Sequence, residues 1–195
     1  MNKKILITGC PRGATKFIYT LLRIIGQNVT FEKKNSNGFT VSWKHILTGT
    51  FEHPCAETEI ICDFNKIIHQ TRHPLKTIAS MTTLWVQSMN YLGKIFPLPD
   101  PIKKSNNTIK NCMIAYYHWN KLIESKAHWR YRIENLYNIQ EEWCKQLEIP
   151  YKELPRLKSV NYRNHKQLNW QDLRLIDKEL TEKIQEMAKR YGYSV

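Results

Sequence analysis

Apolar residues along this chain fall into short runs and helical stripes that take turns. Ile5-Leu6-Ile7 is a three-residue apolar run, and Phe17, Ile18, Leu21, Leu22 and Ile25 follow at helical spacing. Gly26-Gln27 closes a turn, and Asn28 to Glu32 and Thr40 to Trp43 read as short extended segments. Lys66 to Gln70 reads as a buried strand, followed by a helix from Pro74 whose inward positions are Leu75, Ile78, Ala79, Thr82 and Trp85. The FPLPDP stretch from Phe96 to Pro101 ends that helical region in a stiff loop. A long helix is expected from Asn107, with Ile109, Cys112, Met113, Tyr116, Trp119 and Ile123 on one face. His128 to Leu136 then supplies a late strand, Ile139, Trp143 and Leu147 an amphipathic helix, and the chain closes on a helix from Leu175 that ends at Gly192. Strands alternating with helices predict an α/β fold: one domain over residues 1–195, a three-layer sandwich around a mainly parallel sheet of four or five strands.

Composition narrows the setting. With 195 residues, 42% hydrophobic and 24% charged, the chain is long enough to bury a core and too apolar for disorder. No apolar run approaches the roughly 18 residues of a membrane span, and the first residues are too short for a secretory signal, so a cytoplasmic location is expected. Five cysteines with no C-x-x-C pair argue against a disulfide framework and a structural zinc site, leaving small buried thiols.

Charge changes the picture more. The formal net charge of +13 points to polyanionic ligands or acidic partners. The excess lies in Lys33-Lys34, between Lys103 and Arg132, and between Lys152 and Arg174, whereas the last helix is balanced. The sequence carries no helix-turn-helix, zinc-finger or RNP-like signature, which weighs against nucleic acid as the partner.

The candidate chemistry sits between the first strand and the first helix. Gly9-Cys10-Pro11-Arg12-Gly13-Ala14-Thr15-Lys16 combines small residues, two cations and a hydroxyl at a helix start. Backbone N–H groups there, backed by the helix dipole, form an anion site that a phosphate can approach closely. It is not a Walker A loop, which would need Gly at 14 and Lys at 15 where the chain has Ala14 and Thr15. The loop resembles the 5′-phosphosulfate loop of the sulfotransferases, whose usual order is Pro, Lys or Arg, Ser, Gly, Thr, Ser or Thr, then an aromatic residue. Pro11, Arg12, Thr15 and Phe17 match, while Gly13, Ala14 and Lys16 stand where Ser, Gly and Ser or Thr are usual. A Cβ at residue 14 strains the loop if that position needs positive φ.

A second motif extends the resemblance. Sulfotransferases carry Arg, Asn or Asp, Pro, five residues and Ser after a central strand, with the Arg and Ser gripping the 3′-phosphate of the cofactor. Arg72, Pro74 and Ser80 match with the same interval, and His73 departs from it. Arg132-Ile133-Glu134-Asn135-Leu136 resembles the family's late strand, and the basic segment after Pro150 resembles its late loop, in which Arg163 and Lys166 would reach the 3′-phosphate or adenine.

This resemblance implies a P-loop NTPase-like sulfotransferase fold. It implies transfer of a sulfuryl group from 3′-phosphoadenosine 5′-phosphosulfate to a hydroxyl or amine, leaving adenosine 3′,5′-bisphosphate, with no metal. The acceptor, whether small molecule, carbohydrate or peptide, has no readable code. Arg12, Thr15 and the loop amides would stabilise charge at the reacting sulfonate. Glu32, at the end of the second strand, and His45, in the segment between the two motifs, are both candidates to take the acceptor proton. Consecutive parallel strands lying side by side would bring Glu32 to the crevice of the phosphate loop. Two other readings stay open: a P-loop-like phosphotransferase or kinase using Mg²⁺ and a nucleoside triphosphate, and a non-catalytic polyanion-binding protein of the same fold.

Overall fold

The structure, a computed structural model, describes residues 4–33, 35–46, 64–96, 98, 108–157 and 167–195. In chain order the elements are β1 (Lys4–Thr8), α1 (Thr15–Ile24), β2 (Val29–Phe31), β3 (Gly38–Val41), β4 (Lys66–Thr71), α2 (Pro74–Met81) and α3 (Val86–Ile95). After them come α4 (Ile109–Glu124), β5 (Trp129–Arg132), a 3₁₀ helix (Ile133–Asn138), α5 (Gln140–Gln146), α6 (Trp170–Ile176) and α7 (Lys178–Arg190). The chain divides into two compact units, one of residues 1–71 and 123–160, the other of 72–122 and 161–195.

The first unit holds the sheet. Its five strands are all parallel, in the order β2-β3-β1-β4-β5. Ile5, Ile7, Phe39, Val41, Ile68 and Tyr131 point to one face, where they pack with Ile18, Leu21 and Leu22 of α1, Trp143 of α5 and Leu147 just after it. The opposite face, with Leu6, Thr8, Thr40 and His69, is equally closed to solvent. Burial on both faces is why β1 reads as an unbroken apolar run rather than an alternation. The strand order corrects one expectation: β3 lies between β1 and β2, so the second strand is an edge and not the neighbour of the first. Gly26, at φ 83°, ends α1 in the left-handed conformation that glycine adopts most readily, with Gln27 N–H reaching back to Leu22 O at 2.9 Å.

The second unit is helical. Cys112, Met113, Tyr116 and Trp119 of α4 are buried, as their spacing predicts. Two helix limits differ from the sequence expectation. The helix from Pro74 stops at Met81, and Trp85, expected inward, stands 67% exposed just before α3. The last helix starts at Lys178 rather than Leu175, because Asp177 caps it by accepting the Leu180 N–H at 3.0 Å. Lys110 pairs with the same carboxylate at 3.2 Å. Leu175 and Ile176 belong instead to α6, and Leu175 is exposed.

Cys10, Cys112 and Cys144 are buried thiols that form no disulfide, as expected of small core cysteines, and burial pushes the Cys112 thiol up to about 12. Among the described residues, no helix is long and apolar enough to cross a membrane.

Candidate functional site

The loop from Gly9 to Ala14 leaves the C-terminal end of β1, the central strand, and turns into α1. Gly13 N–H donates to Cys10 O at 2.8 Å, closing a tight turn, and a Cβ on Gly13 would meet that same oxygen at 2.7 Å. Arg12 and Ala14 both take left-handed backbone, at φ 67° and 68°. Position 14 therefore does require the conformation that glycine usually supplies, and the chain adopts it with a Cβ in place. Replacing Ala14 by Gly is expected to raise stability by about 0.5–1 kcal/mol, the left-handed penalty outweighing the added chain entropy. Denaturant titration of the two proteins checks this.

Ala14 has no side-chain acceptor to cap α1, and the first turn of that helix holds no acid. The N–H groups of Thr15 and Lys16 have no acceptor inside the helix. Thr15 is buried at the helix start, while Lys16 is exposed. A helix end of this kind, uncapped and approached by small residues, suits a phosphate or sulfate group.

The loop is hooked from below by a residue the sequence did not single out. Gln70, fully buried in β4, donates its side-chain amide to Gly13 O and accepts the Tyr131 hydroxyl at 2.8 Å. Both ends of the amide are used, and burial pushes the Tyr131 hydroxyl far above its ordinary value. Gly9 lets this happen: a Cβ there would collide with the backbone carbonyl oxygen of Gln70. No signal marked Gln70 in the sequence, where it is one polar residue ending an apolar strand.

The side chain of Glu32 and the backbone of His45, the two candidate bases, meet at a third residue, Ser42. Glu32 follows β2 at φ 54°, and its Oε2 accepts the Ser42 hydroxyl at 2.6 Å. Ser42 follows β3, and its N–H donates to Ile7 O of β1 at 3.1 Å. The Ser42 oxygen accepts the backbone N–H of Lys44 at 3.0 Å and of His45 at 3.4 Å. Glu32 thus reaches the β3 end through a hydroxyl rather than lying beside β1, as the intervening strand requires. Burial pushes its carboxyl above the ordinary value, opposed by the Ser42 hydrogen bond, the Lys44 charge and the Trp43 N–H. Lys44 in turn lies over the Trp43 ring at 5.8 Å.

The second motif belongs to the other unit. Arg72 is the first residue after β4, and α2 opens with Pro74 at its first turn. Arg72 and Ser80 are both partly exposed, Ser80 lying in the last turn of α2. His73, where Asn or Asp was the expected type, packs its ring against Tyr193 at 5.4 Å and Trp170 at 6.5 Å. Its backbone O accepts the Thr77 hydroxyl at 3.0 Å. Arg163 and Lys166, the late-loop candidates, lie outside the described residues. Among the described residues no group of His, Cys, Asp and Glu could hold a metal ion.

These features define the chain as an α/β protein whose parallel sheet presents an uncapped helix start at the end of its central strand. No protein-family model matches the chain, and no curated protein sequence does either.

Proposed function

We propose that this protein is a sulfotransferase with a three-layer, P-loop-like fold, moving a sulfuryl group from 3′-phosphoadenosine 5′-phosphosulfate to a hydroxyl or amine. The observation that carries the reading is the β1–α1 loop, with its uncapped helix start, its two left-handed residues and its Gln70 hook. The residues present suit the cosubstrate. Ala14 takes left-handed backbone at the position where the resembled loop usually has Gly, whereas the tight Cys10–Gly13 turn, in which a Cβ on Gly13 would meet Cys10 O at 2.7 Å, differs from a loop with Ser at that place. Buried, unbridged Cys10, Cys112 and Cys144 are in keeping with a cytoplasmic setting.

The bound cosubstrate supplies the sulfuryl group, its bridging S–O bond breaking with the electron pair left on the phosphate as the acceptor oxygen bonds to sulfur. The chain's own part is electrostatic. Arg12, Thr15 and the amides at the start of α1 would hold the phosphosulfate and oppose the negative charge that develops there. Pro11, Gly13, Lys16 and Phe17 complete that loop, and Arg72 and Ser80 would hold the 3′-phosphate by a guanidinium fork and a hydroxyl. Glu32 would take the acceptor proton, because a carboxyl raised by burial is a stronger base than an exposed one. His45, on the same turn, is the second candidate.

Isothermal titration with adenosine 3′,5′-bisphosphate tests the assignment. Binding without metal is expected, and Arg72→Ala is expected to weaken it by about 30-fold or more, the loss typical of a charge pair cut on one side. No bisphosphate binding would overturn the reading. Mg²⁺-dependent triphosphate binding would point to the phosphotransferase, and length-dependent binding to heparin alone would point to a non-catalytic polyanion binder.

A further inference from the structure

Ser42 has a hydrogen-bond arrangement with a single solution. Its side chain is wholly buried and carries one hydrogen and two lone pairs. The Lys44 and His45 N–H groups approach its oxygen at 3.0 and 3.4 Å, and Glu32 Oε2 lies at 2.6 Å. Backbone N–H groups can only donate, so both lone pairs are taken and the one hydrogen must point to Glu32. A proton on Glu32 Oε2 would face that hydrogen and find no lone pair to enter. The other oxygen, Oε1, is buried with no hydrogen-bond partner among the described residues.

We infer that Ser42 is a positioning residue which fixes Oε1 as the atom of Glu32 that gains and loses a proton. Oε2 stays a permanent acceptor, and the turn Ser42-Trp43-Lys44-His45 holds the carboxyl plane so that one oxygen is committed to the Ser42 hydroxyl and the proton is left to the other. The use of Oε1 as a base toward an acceptor rests on the sulfuryl-transfer reading; the placement of the proton does not. In that use the acceptor O–H proton passes to Oε1 as the acceptor oxygen bonds to sulfur, and the electron pair of the broken S–O bond leaves on the phosphate.

The surroundings support one dominant partner. Lys44, on the same turn, is the cation whose charge acts on Glu32. Lys33 is the next residue in the chain and is exposed, and His45 completes the turn. From α1, Tyr19 packs its ring, tilted by 37°, against Phe31, the residue before Glu32, with ring centroids at 5.3 Å. Burial raises the carboxyl, and the Ser42 hydroxyl is the largest of the groups that oppose the rise, ahead of the Lys44 charge and the Trp43 N–H. By linkage, a raised folded-state value means the folded chain binds the proton more tightly than the unfolded chain. This group's contribution to stability is therefore greatest in acid and falls as pH rises through and above 4.5.

The test is a titration of the full-length, ligand-free chain, following the Glu32 side-chain carboxyl by ¹³C NMR and its neutral C=O stretch by infrared difference spectroscopy. Ser42→Ala is expected to move the Glu32 midpoint up by about one pH unit, the loss of one hydrogen bond to a charged acceptor. The neutral C=O stretch should rise at the same time, because Oε2 loses its donor. Ser42→Thr should restore both, and Ser42→Cys, a weak donor of similar size, should fall between and stands in should the alanine variant not fold. An unchanged midpoint and stretch in the alanine or cysteine variant would overturn the inference, whatever adenosine 3′,5′-bisphosphate does. Loss of bisphosphate binding by the native chain, with the shifts intact, would overturn the sulfuryl-transfer reading and leave the proton placement standing.

Discussion

Gly9→Ala is expected to cost about 3 kcal/mol or more of stability, at the upper end of overpacking losses, because what it strikes is backbone. The added Cβ would land on the main-chain carbonyl oxygen of Gln70, far inside van der Waals contact, with the Gln70 carbonyl carbon at 3.5 Å behind it. A flexible side chain could swing aside; a strand of the parallel ladder cannot. Thr8, the residue before Gly9, pairs with His69, the residue before Gln70, so relief requires β1 and β4 to part where the loop begins. Gly26→Ala is the matched control. It also sits at a glycine, at φ 83°, but its Cβ meets nothing within 4 Å, so it should cost only the left-handed penalty less the chain entropy regained, about 0.5–1 kcal/mol. Urea denaturation of the two variants separates close approach from backbone strain. Equal losses would show that the packing of Gly9 against Gln70 contributes nothing.

The contrast between these two glycines also marks what sequence reasoning can reach. Gly26 was legible because it follows an amphipathic stripe, and the rule that glycine ends helices is local. The same holds for β1, α1, β4, Pro74 and the buried face of α4, whose signals lie within a dozen residues of each other. The site was half legible for a related reason. Small residues and cations at a helix start are contiguous, so the β1–α1 loop declares itself. Gln70 and Ser42 do not, because each acts across a strand order that the sequence does not encode locally. Gln70 works only because β4 lies next to β1, and Glu32 depends on Ser42 only because β3 is threaded between β1 and β2. Reading consecutive strands as neighbours placed Glu32 one strand too close to the loop. Asp177 failed to declare itself for the opposite reason: the apolar stripe of Leu175, Ile176 and Leu180 continues through it, and a local cap overrode the periodicity.

Gln70→Leu is the second large effect, and it is informative because the amide has two clients. Removing it strands the carbonyl of Gly13 and the hydroxyl of Tyr131, both of which it serves in the buried interior. Each buried group left without a partner costs about 1–3 kcal/mol, so a loss of about 3 kcal/mol is expected even though leucine refills most of the volume. Tyr131→Phe strands only the Gln70 Oε1 atom and should cost about 1–2 kcal/mol. If the three groups form one chain of hydrogen bonds, the double variant has nothing left to strand at the tyrosine. It should be no worse than Gln70→Leu alone, a coupling of about 1–2 kcal/mol in the cycle. The function should respond differently to the two ends. Gln70→Leu frees the Gly13 carbonyl and with it the turn that aims the α1 amides, so bisphosphate affinity should drop. Tyr131→Phe leaves the Gln70–Gly13 bond in place and should lower stability while leaving affinity nearly unchanged. Additive stability losses would show that the two contacts are independent, and equal affinity losses would show that the hook has no part in shaping the loop.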